Sequence, residues 1–410
     1  MGTEKEVAVT GIGLVTSLGS DVETIWNSLL RGDNGIKSLD GSNQFAKEFG
    51  MNIAGLAASF DLDKFCIDKK GKKTLNGTDY LTKMLVYAGL SSLDDAKIGY
   101  PQQTEQYKIG AIIGTGTALA YRHDKVPYEE RNPTWFLDTY PNVPLGVLSI
   151  IAAIKGYGCT VVSACTSANQ AIGHAFKMIQ SGQADVMLAG GVDDKFQVPF
   201  ISGFSRLNMC TKSDNPDTAM RPFDKLRNGF AMGQGACVLV LESLSHAKKR
   251  GAAPKGRIVG YGAALNSTSV TDASSEGILN SIEMALKDAK ISPQNIDYIN
   301  AHGSSTVSND KEESIAIKRL FGEKAYQIPI NSTKSMVGHT FAACGAIEAA
   351  VCILSMQNQM VHVTRNYSQG DSFCDLDYVK DNSRKASIKY CLSNTSGIGG
   401  YNSTLIFGAV

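Results

Sequence analysis

Residues 161–176 read VVSACTSANQAIGHAF and set one cysteine between a short β-branched run and a helical pattern. After Cys165, apolar residues recur at helical spacing from 168 to 179, and Gly182 follows the last of them. This spacing predicts a helix of about four turns. A thiol at such a helix start faces unpaired N–H groups and the positive end of the helix dipole, which favour the nucleophilic thiolate. The alternative is a buried structural cysteine.

A second helix start has a similar pattern. Aligning CTSANQAIGHAFKMI, which begins at Cys165, with HTFAACGAIEAAVCI, which begins at His339, matches a threonine, an alanine and a helix of small apolar residues. Chance similarity and internal duplication both explain this match. A duplication would present a thiol and an imidazole at corresponding helix starts in two related halves of the chain.

The rest of the chain alternates between strand and helix patterns, which predicts an α/β fold with helices covering a sheet. A charged helix end, HAKKR, comes before a new strand-like start, so we place a boundary near 255 and expect units at 1–255 and 256–410. Strands are predicted at 7–13, 108–117, 184–191, 236–242, 297–303 and 389–400, and helices at 23–32, 82–96, 281–289 and 310–322.

Composition limits the classes of function. The chain has 410 residues, 43% hydrophobic, and a formal net charge of +1, which gives no support for nucleic acid or an anionic membrane as the main partner. Nine cysteines without a CxxC pair argue against a disulfide framework and a zinc ribbon. There is no leader pattern and no long apolar run. We therefore expect a reduced, cytoplasmic enzyme without a membrane span.

Two of the six histidines occupy positions suited to chemistry. His302, in YINAHGSST, ends an apolar strand, and such strand ends are where active sites of α/β sheets form. His339 opens the second small-residue helix, whose dipole disfavours imidazolium and favours a neutral hydrogen-bond donor. The alternative for each is an ordinary core or surface histidine.

The segment SGIGGYN, residues 396–402, is a glycine-rich turn after an apolar strand. Its exposed N–H groups are suited to binding an oxyanion, with the N–H of Cys165 as the second donor. A plain tight turn is the competing interpretation. Because the segment fails the GxGxxG pattern and the chain has no GxxxxGK[ST], we do not interpret it as a nucleotide loop.

Together these motifs resemble the β-ketoacyl-acyl-carrier-protein synthases of the thiolase-like superfamily. The resemblance implies a five-layered α-β-α-β-α fold of two related halves, usually dimeric. It spans nearly the whole chain through VTGIGLVTSLGSDVETIWNSLLRGDNGI, SACTSANQAIGHA, ADVMLAGG, RPFDKLRNGFAMGQGACVLVLE, NAHGSSTVSNDKEES, NSTKSMVGHTFAACGAIEA and CDLDYV.

The resemblance also implies a reaction, a decarboxylative Claisen condensation. Cys165 would take an acyl chain from an acyl carrier protein as a thioester. His302 and His339 would hold the malonyl thioester carbonyl, assist decarboxylation and stabilise the enolate that attacks the acyl-cysteine. No metal or redox cofactor is needed, since the substrates travel on the phosphopantetheine of the carrier protein.

Further site residues are implied by their places in the family motifs. They are Lys334 (catalytic), Glu313 and Asp310 in the polar network, Ser304 and Thr306 at the phosphopantetheine, Ile398 and Tyr401 at the acyl gate, and the N–H groups of Cys165 and Ile398 in the oxyanion hole.

The chain departs from the family pattern where substrate is selected. Fatty-acid enzymes usually carry GFGGTN in the last turn, whereas Ile398 replaces the gating Phe here and Tyr401 replaces Thr. This turn looks more like that of type II polyketide ketosynthase α subunits, which usually pair with a chain-length factor. A fatty-acid homodimer is the alternative, and a non-catalytic subunit is the rival outside enzymes. Other departures are Gln234 for Glu, Asn228 for Asp and Val307 for Pro.

Carrier proteins are acidic, so local positive charge predicts the docking surface. The run DKKGKK supplies four lysines, and Arg206 aligns with a docking position of the family. The four lysines are Lys69, Lys70, Lys72 and Lys73. A solvated loop is the alternative.

Two related enzyme classes are disfavoured. A degradative thiolase is disfavoured because SGIGGYN lacks a cysteine, and a chalcone-synthase-like enzyme is disfavoured because His339 is a second histidine.

Overall fold

A computed structural model of the chain describes residues 4–39, 51–100, 109–116, 127–130 and 135–410. The mixed α/β class expected from the sequence is confirmed. The strands are β1 Val7–Val15, β2 Lys37–Ser38, β3 Ile53–Ala54, β4 Ile109–Thr115, β5 Gly158–Val161, β6 Val186–Asp193, β7 Gly235–Ser243, β8 Gly256–Leu265, β9 Tyr298–Asn300, β10 Ile330–Asn331, β11 Met360–Val361, β12 Arg384–Lys385, β13 Tyr390–Gly397 and β14 Tyr401–Gly408.

The helices follow the predicted alternation with strands, and a single 3₁₀ turn, Phe341–Ala343, runs directly into the last helix. They are α1 Val22–Arg31, α2 Lys69–Asn76, α3 Tyr80–Asp95, α4 Val143–Ala152, α5 Ser167–Gln180, α6 Val198–Arg206, α7 Leu244–Lys249, α8 Ser275–Ala289, α9 Val307–Phe321, α10 Lys334–Val337 and α11 Cys344–Asn358.

The main sheet consists of two five-stranded halves with the same topology. The first half has the order β1-β7-β6-β4-β5 and the second β8-β14-β13-β9-β10. In both, the first three strands are antiparallel neighbours and the last three are parallel neighbours. The halves join where Val7–Val9 of β1 pairs with Gly256–Ile258 of β8. This repeated order confirms two related halves.

The helices divide the molecule into five layers. Helices α5 and α11 pack on each other and contact strands of both halves, so they form the middle layer. Helices α3 and α4 cover the outer face of the first half, and α8 and α9 cover the second. The predicted α-β-α-β-α fold is confirmed.

Helix limits follow local chemistry. In α1 the Asp21 side chain accepts the N–H of Thr24, and Gly32 ends the helix at φ 72°. The predicted helix at 281–289 begins earlier, at Ser275, because the Ser274 side chain caps it. Of the predicted strand at 108–117, the end residues lie outside the described residues.

The duplicated helix starts keep the register expected from the sequence. Helix α5 begins at Ser167 after its cap Thr166. The turn at Phe341 begins after its cap Thr340 and continues as α11. Cys165 and His339 therefore each lie two residues before the first helical residue. The division into units at 255/256 stays a prediction, although β8 starts the second half at Gly256.

One described helical segment, Phe341–Asn358, is long and apolar enough to cross a membrane, and 89% of it is buried inside the protein. Its position between the two halves of the sheet accounts for that burial, because a helix contacted on all sides is apolar all round.

Candidate active site

The predicted nucleophile, Cys165, lies at a strained strand-to-helix turn. Strand β5 ends at Val161, Ala164 adopts φ 53°, and Cys165 then leads into α5. Helix α5 starts so close to β4 that a Cβ at Gly114 would lie 2.3 Å from the backbone carbon of Ser167. Glycine is therefore required there, and Cys165 is held at the strand ends of the first half.

The fold brings the three predicted catalytic side chains together. Cys165 Sγ lies 3.2 Å from His339 Nε2, and the rings of His302 and His339 are 5.3 Å apart at 79°. All three line one cavity of about 330 Å³. Because Cys165 comes from the first half and the histidines from the second, the site exists only when the halves are assembled.

Backbone contacts define the tautomer of His339. The N–H of Phe341 donates to His339 Nδ1 at 3.2 Å, so Nδ1 is the acceptor and Nε2 carries the proton of the neutral ring. Burial, followed by the Lys334 ammonium, lowers the pKa of His339 well below its usual value. Nε2–H therefore donates toward Cys165 Sγ, and this tautomer does not act as a base for the thiol.

The charge state of Cys165 differs from the expectation. Burial raises the pKa of the thiol to about 12, and the Lys334 ammonium only partly opposes this. Burial prevails because Cys165 is only 7% exposed, so the thiol favours its neutral form at neutral pH. This differs from the thiolate that the helix start alone predicts.

His302 is fixed through its backbone. Its N–H donates to Glu313 at 2.8 Å, the N–H of Gly303 donates to the other oxygen of that carboxyl at 2.9 Å, and Lys334 Nζ donates to the His302 carbonyl at 2.7 Å. The imidazole Nδ1 is buried without a hydrogen-bond partner among the described residues. Burial first, and then Lys334 and His339, hold the pKa of His302 well below its usual value.

Lys334 does not line the cavity. It is 1% exposed and forms a buried ion pair with Glu348, also 1% exposed, on α11. Burial raises the pKa of Glu348 to about 7, while Lys334 opposes the shift. Lys334 thus contacts the His302 backbone and Glu348 from behind the cavity wall, and its expected catalytic role stays a prediction.

Asp310 anchors the loop that follows His302. Its carboxyl oxygens accept the backbone N–H groups of Phe223 at 2.7 Å and Ser305 at 3.2 Å. Burial raises the pKa of Asp310 to about 7. Ser305 has φ 66°, so this carboxyl holds a strained backbone next to the site.

The glycine turn lies against the nucleophile. A Cβ on Gly397 would lie 3.1 Å from the backbone N of Cys165. Neither the N–H of Cys165 nor that of Ile398 donates a hydrogen bond to any residue that the structure describes. Ile398 lines the cavity, but Tyr401 does not. Side chains alternate along β14, so Asn402 faces the cavity in place of the expected Tyr401.

The predicted phosphopantetheine contacts line the same cavity. The hydroxyls of Ser304 and Thr306 are 2.9 Å apart, and Thr306 caps α9. Val307, the first residue of that helix, is 60% exposed and also lines the cavity. The cavity therefore opens to solvent beside these hydroxyls.

The predicted docking cations fall on separate elements. Arg206, at the end of α6, is exposed next to Leu207, which lines the cavity. The lysines belong to α2, which packs against α4, and none of them is among the described residues that line the cavity. Lys69, Lys70 and Lys73, which were predicted with Arg206 to dock the carrier protein, are exposed on α2, and their docking role stays a prediction.

Of the departures from the family pattern, that at Gln234 has a local explanation, and that at Asn228 has none in its contacts. The Gln234 amide donates to Asp194 at 2.9 Å and accepts the N–H of Ala57 at 3.1 Å, a pairing that a glutamate does not complete. Asn228 lines the cavity and accepts the hydroxyl of Thr211 at 3.0 Å.

Sequence reasoning missed Glu348 and the phenylalanines that pack on and behind His339, namely Phe341, Phe230 and Phe204. Glu348 is a single carboxylate within AACGAIEAAVCILSM, and a lone charge in an apolar helix signals a buried partner. Phe341 interrupts a run of small residues, which signals close packing of a ring. Among the described residues, no three His, Cys, Asp or Glu side chains are grouped as metal ligands.

The comparisons with known proteins agree with this geometry. The family described as Beta-ketoacyl synthase, N-terminal domain, matches residues 4–247, and its C-terminal domain matches residues 255–368. The 3-oxoacyl-[acyl-carrier-protein] synthase 2 of Staphylococcus aureus (strain COL) is 36% identical over 417 residues, covering 99% of each chain.

Two solved structures are similar over 100% of both chains. One is a type II polyketide ketosynthase in complex with its acyl-carrier protein and bound to the hexaketide, at 30% identity and a TM-score of 0.89. The other is the ishigamide ketosynthase/chain length factor, at 28% identity and a TM-score of 0.89. The chain therefore belongs to the β-ketoacyl synthase family and is a carbon–carbon bond-forming acyltransferase, a β-ketoacyl-acyl-carrier-protein synthase.

Proposed function

We propose that Cys165 carries the growing acyl chain and that His302 and His339 direct the decarboxylation of a malonyl thioester. The observation that carries this proposal is the meeting of one thiol and two neutral imidazoles in a single cavity, with Cys165 Sγ 3.2 Å from His339 Nε2.

In the first step the Cys165 sulfur attacks the acyl thioester, and the carrier's phosphopantetheine thiol leaves with the proton. The unpaired N–H groups of Cys165 and Ile398 stabilise the oxyanion of the tetrahedral intermediate. Because burial raises the pKa of Cys165 to about 12, the thiol proton departs only as the thioester binds and its leaving group accepts it.

In the second step the bond between the malonyl C2 and its carboxyl group breaks and carbon dioxide leaves. The electron pair forms an enolate, whose oxygen is stabilised by Nε2–H of His339 and by the His302 ring. The enolate carbon then attacks the acyl-cysteine, the bond between the acyl carbon and Cys165 Sγ breaks, and the Cys165 thiolate takes up a proton from solvent. The product is a 3-oxoacyl chain on the carrier. Lys334, Glu313 and Asp310 position these groups, and the reaction needs no metal or redox cofactor.

The substrates reach this site on an acyl carrier protein. Ser304 and Thr306 contact the phosphopantetheine where the cavity opens. Arg206 stands exposed beside that opening and attracts an acidic carrier. The exposed lysines of α2, Lys69, Lys70 and Lys73, add a second docking surface. Rim cations of this kind raise the association rate and lose their effect as salt increases.

We further propose the polyketide pathway, with a chain-length factor as partner and the cytoplasm as compartment. The small Ile398 beside the nucleophile supports acceptance of chains bulkier than a fatty-acyl gate admits. Strand β5 ends the sheet in the first half, and Ile150, Tyr157 and Val162 near it are 51%, 54% and 50% exposed. Such an uncovered sheet edge suits pairing with a second chain.

Fatty-acid synthesis as a homodimer is the second candidate. It is favoured by the 36% identity to a 3-oxoacyl-[acyl-carrier-protein] synthase 2 over 99% of both chains. In that case Ile398 changes the range of acyl primers without changing the pathway.

Mass spectrometry of carrier-bound products separates the candidates. The purified chain receives malonyl-carrier protein and acyl primers, with C165A as the catalytic control and C66A, which removes an exposed cysteine, as the matched control. Poly-β-keto products that require an added partner subunit support the polyketide proposal. Single-extension 3-oxoacyl products from the chain alone, lost in C165A, favour the fatty-acid pathway. Products that persist in C165A would contradict the covalent mechanism.

A further inference from the structure

Two phenylalanines, Phe341 and Phe230, contact the imidazole of His339, and a third, Phe204, packs behind them. The ring of Phe341 stacks on it at 4.7 Å between centroids and 15° between planes. Phe204 stacks on the opposite face of Phe341 at 5.1 Å and 17°, and Phe230 meets the His339 ring edge-on at 5.1 Å and 87°. We call His339, Phe341 and Phe204 the aromatic stack. It holds one side of the cavity that Cys165 faces.

The backbone of Phe341 is strained. Its φ is 44°, in the left-handed region that residues with a Cβ rarely adopt, although glycine adopts it readily. The strain is held from both sides, because the Phe341 N–H donates to His339 Nδ1 and Asp193 accepts the next N–H, that of Ala342, at 3.0 Å. A large ring therefore occupies a position whose backbone conformation suits glycine better, which indicates that the ring has a role of its own.

The Phe341 ring restricts a motion of the His339 imidazole that the backbone hydrogen bond leaves free. One hydrogen bond to Nδ1 fixes a point of the imidazole but allows the plane to tilt about it. Phe341 covers a face of the imidazole and Phe230 stands against it edge-on, so both limit this tilt. His339 is consequently only 2% exposed, and its Nε2 is aimed at the Cys165 sulfur.

We propose that Phe341 is a positioning residue for malonyl decarboxylation, because its stacked ring fixes the plane in which His339 presents Nε2–H to the developing enolate oxygen. This inference rests on the proposed role of His339. Acylation of Cys165 relies instead on the backbone N–H groups of Cys165 and Ile398, to which Phe341 makes no hydrogen bond in the part of the chain that the structure describes. Removing the planar ring should therefore slow one half-reaction and spare the other.

The test compares F341L, which keeps apolar bulk without a planar face, with F341Y, which keeps the plane. Decarboxylation is followed as carbon dioxide release from malonyl-carrier protein, and acylation as the mass increase of the protein with acyl-carrier protein. We expect F341L to lower kcat for decarboxylation about tenfold or more, since small misplacements of a catalytic group are costly. Its KM and its acylation rate should stay within about twofold, and F341Y should retain about half of the parent rate or more.

Further variants make the outcome decisive. F204L removes only the outer ring and should have a smaller effect than F341L. Should F341L fold poorly, F341M replaces the ring with a flexible side chain of similar volume. Equal loss in both half-reactions, or unchanged decarboxylation in F341L, would overturn the inference. The H339A variant separates failure of the proposed function from failure of this inference. Unchanged decarboxylation in H339A would contradict the proposed function itself. Decarboxylation that is lost in H339A but unchanged in F341L would contradict only the role of Phe341.

Discussion

The two helix starts that meet at the cavity occupy the same position in the duplicated halves but carry different chemistry. The first presents Cys165 after a strained residue, Ala164, and the second presents His339 before a strained residue, Phe341. Burial acts on them in opposite senses, raising the pKa of the thiol and lowering that of the imidazole. Both groups are therefore neutral at rest.

The comparison also shows where the charged side chains of the site lie. The reacting groups at the cavity are uncharged, while the buried Lys334–Glu348 ion pair lies behind them on elements of the second half. The first half contributes the nucleophile, and the second contributes both imidazoles together with that charged support. The two halves thus have similar helix starts, and their surroundings suit one to the proposed nucleophile and the other to the proposed hydrogen-bond donor.

The largest expected effect comes from removing the charged support. K334M leaves Glu348 buried without its partner, which should reduce the free energy of unfolding by about 3–5 kcal/mol. Losing the ammonium raises the pKa of Glu348 further, and a group whose folded pKa is raised loses stabilisation as pH increases. The loss should therefore be greater at pH 8 than at pH 6 in thermal melts.

The double variant K334M/E348Q serves as the control for that change. It should regain most of the stability and lose the part of the pH dependence that comes from Glu348, because neither member of the pair is then charged. Condensation should stay slow, since the His302 carbonyl still lacks its donor. If K334M melts at the same temperature as the parent protein, Lys334 and Glu348 do not form the charged support that this comparison assigns to them.

The second effect concerns the neutral thiol. With the pKa of Cys165 raised to about 12, its alkylation by iodoacetamide should accelerate about tenfold per pH unit from pH 7 to 9, without levelling off. Mass spectrometry of the peptide that contains Cys165 measures this rate, with the exposed Cys66 as a reference for reagent quality. A plateau near pH 8.5 would show an ordinary thiol and contradict the assignment.

The third effect concerns the strained backbone at the first helix start. Ala164 adopts φ 53° without a large side chain to keep there. A164G should raise the free energy of unfolding by about 0.5 kcal/mol, because glycine adopts this conformation freely and loses only part of the gain to unfolded-state entropy. Denaturant unfolding measures the change. Marked destabilisation would mean that the Ala164 side chain has a packing role.

The smallest effect compares the outer helices that follow β4 and β9. Helix α4 carries Pro144 in its first turn, whereas α9 begins with Val307 after an extended Thr306. V307P should stabilise the protein by about 0.5 kcal/mol, because the first helical position suits proline. Thermal melts check this. A loss of stability would show that the N–H of Val307 has an acceptor in solution.

Much of the fold was predictable because it depends on local patterns. Apolar runs ending in glycine marked the buried strands, and the match between Cys165 and His339 predicted the duplicated helix starts. The charge state of Cys165 was not predictable, since desolvation depends on what surrounds the thiol in three dimensions. Tyr401 was misplaced for a similar reason, because strand alternation sends Asn402 to the cavity. The partnership of Lys334 with Glu348 joins separate elements, so spacing alone does not reveal it.

The strand order of the second half has a consequence for folding. Strand β8 pairs with β14, and the Ile398 turn lies between β13 and β14, far along the chain from β8. Pairings of such high sequence separation form slowly and late. The N–H of Ile398 thus reaches Cys165 only when this closure is complete. A chain in which this closure has not formed lacks the assembled pair of donors, and so the acquisition of activity requires that the β8–β14 pairing has formed.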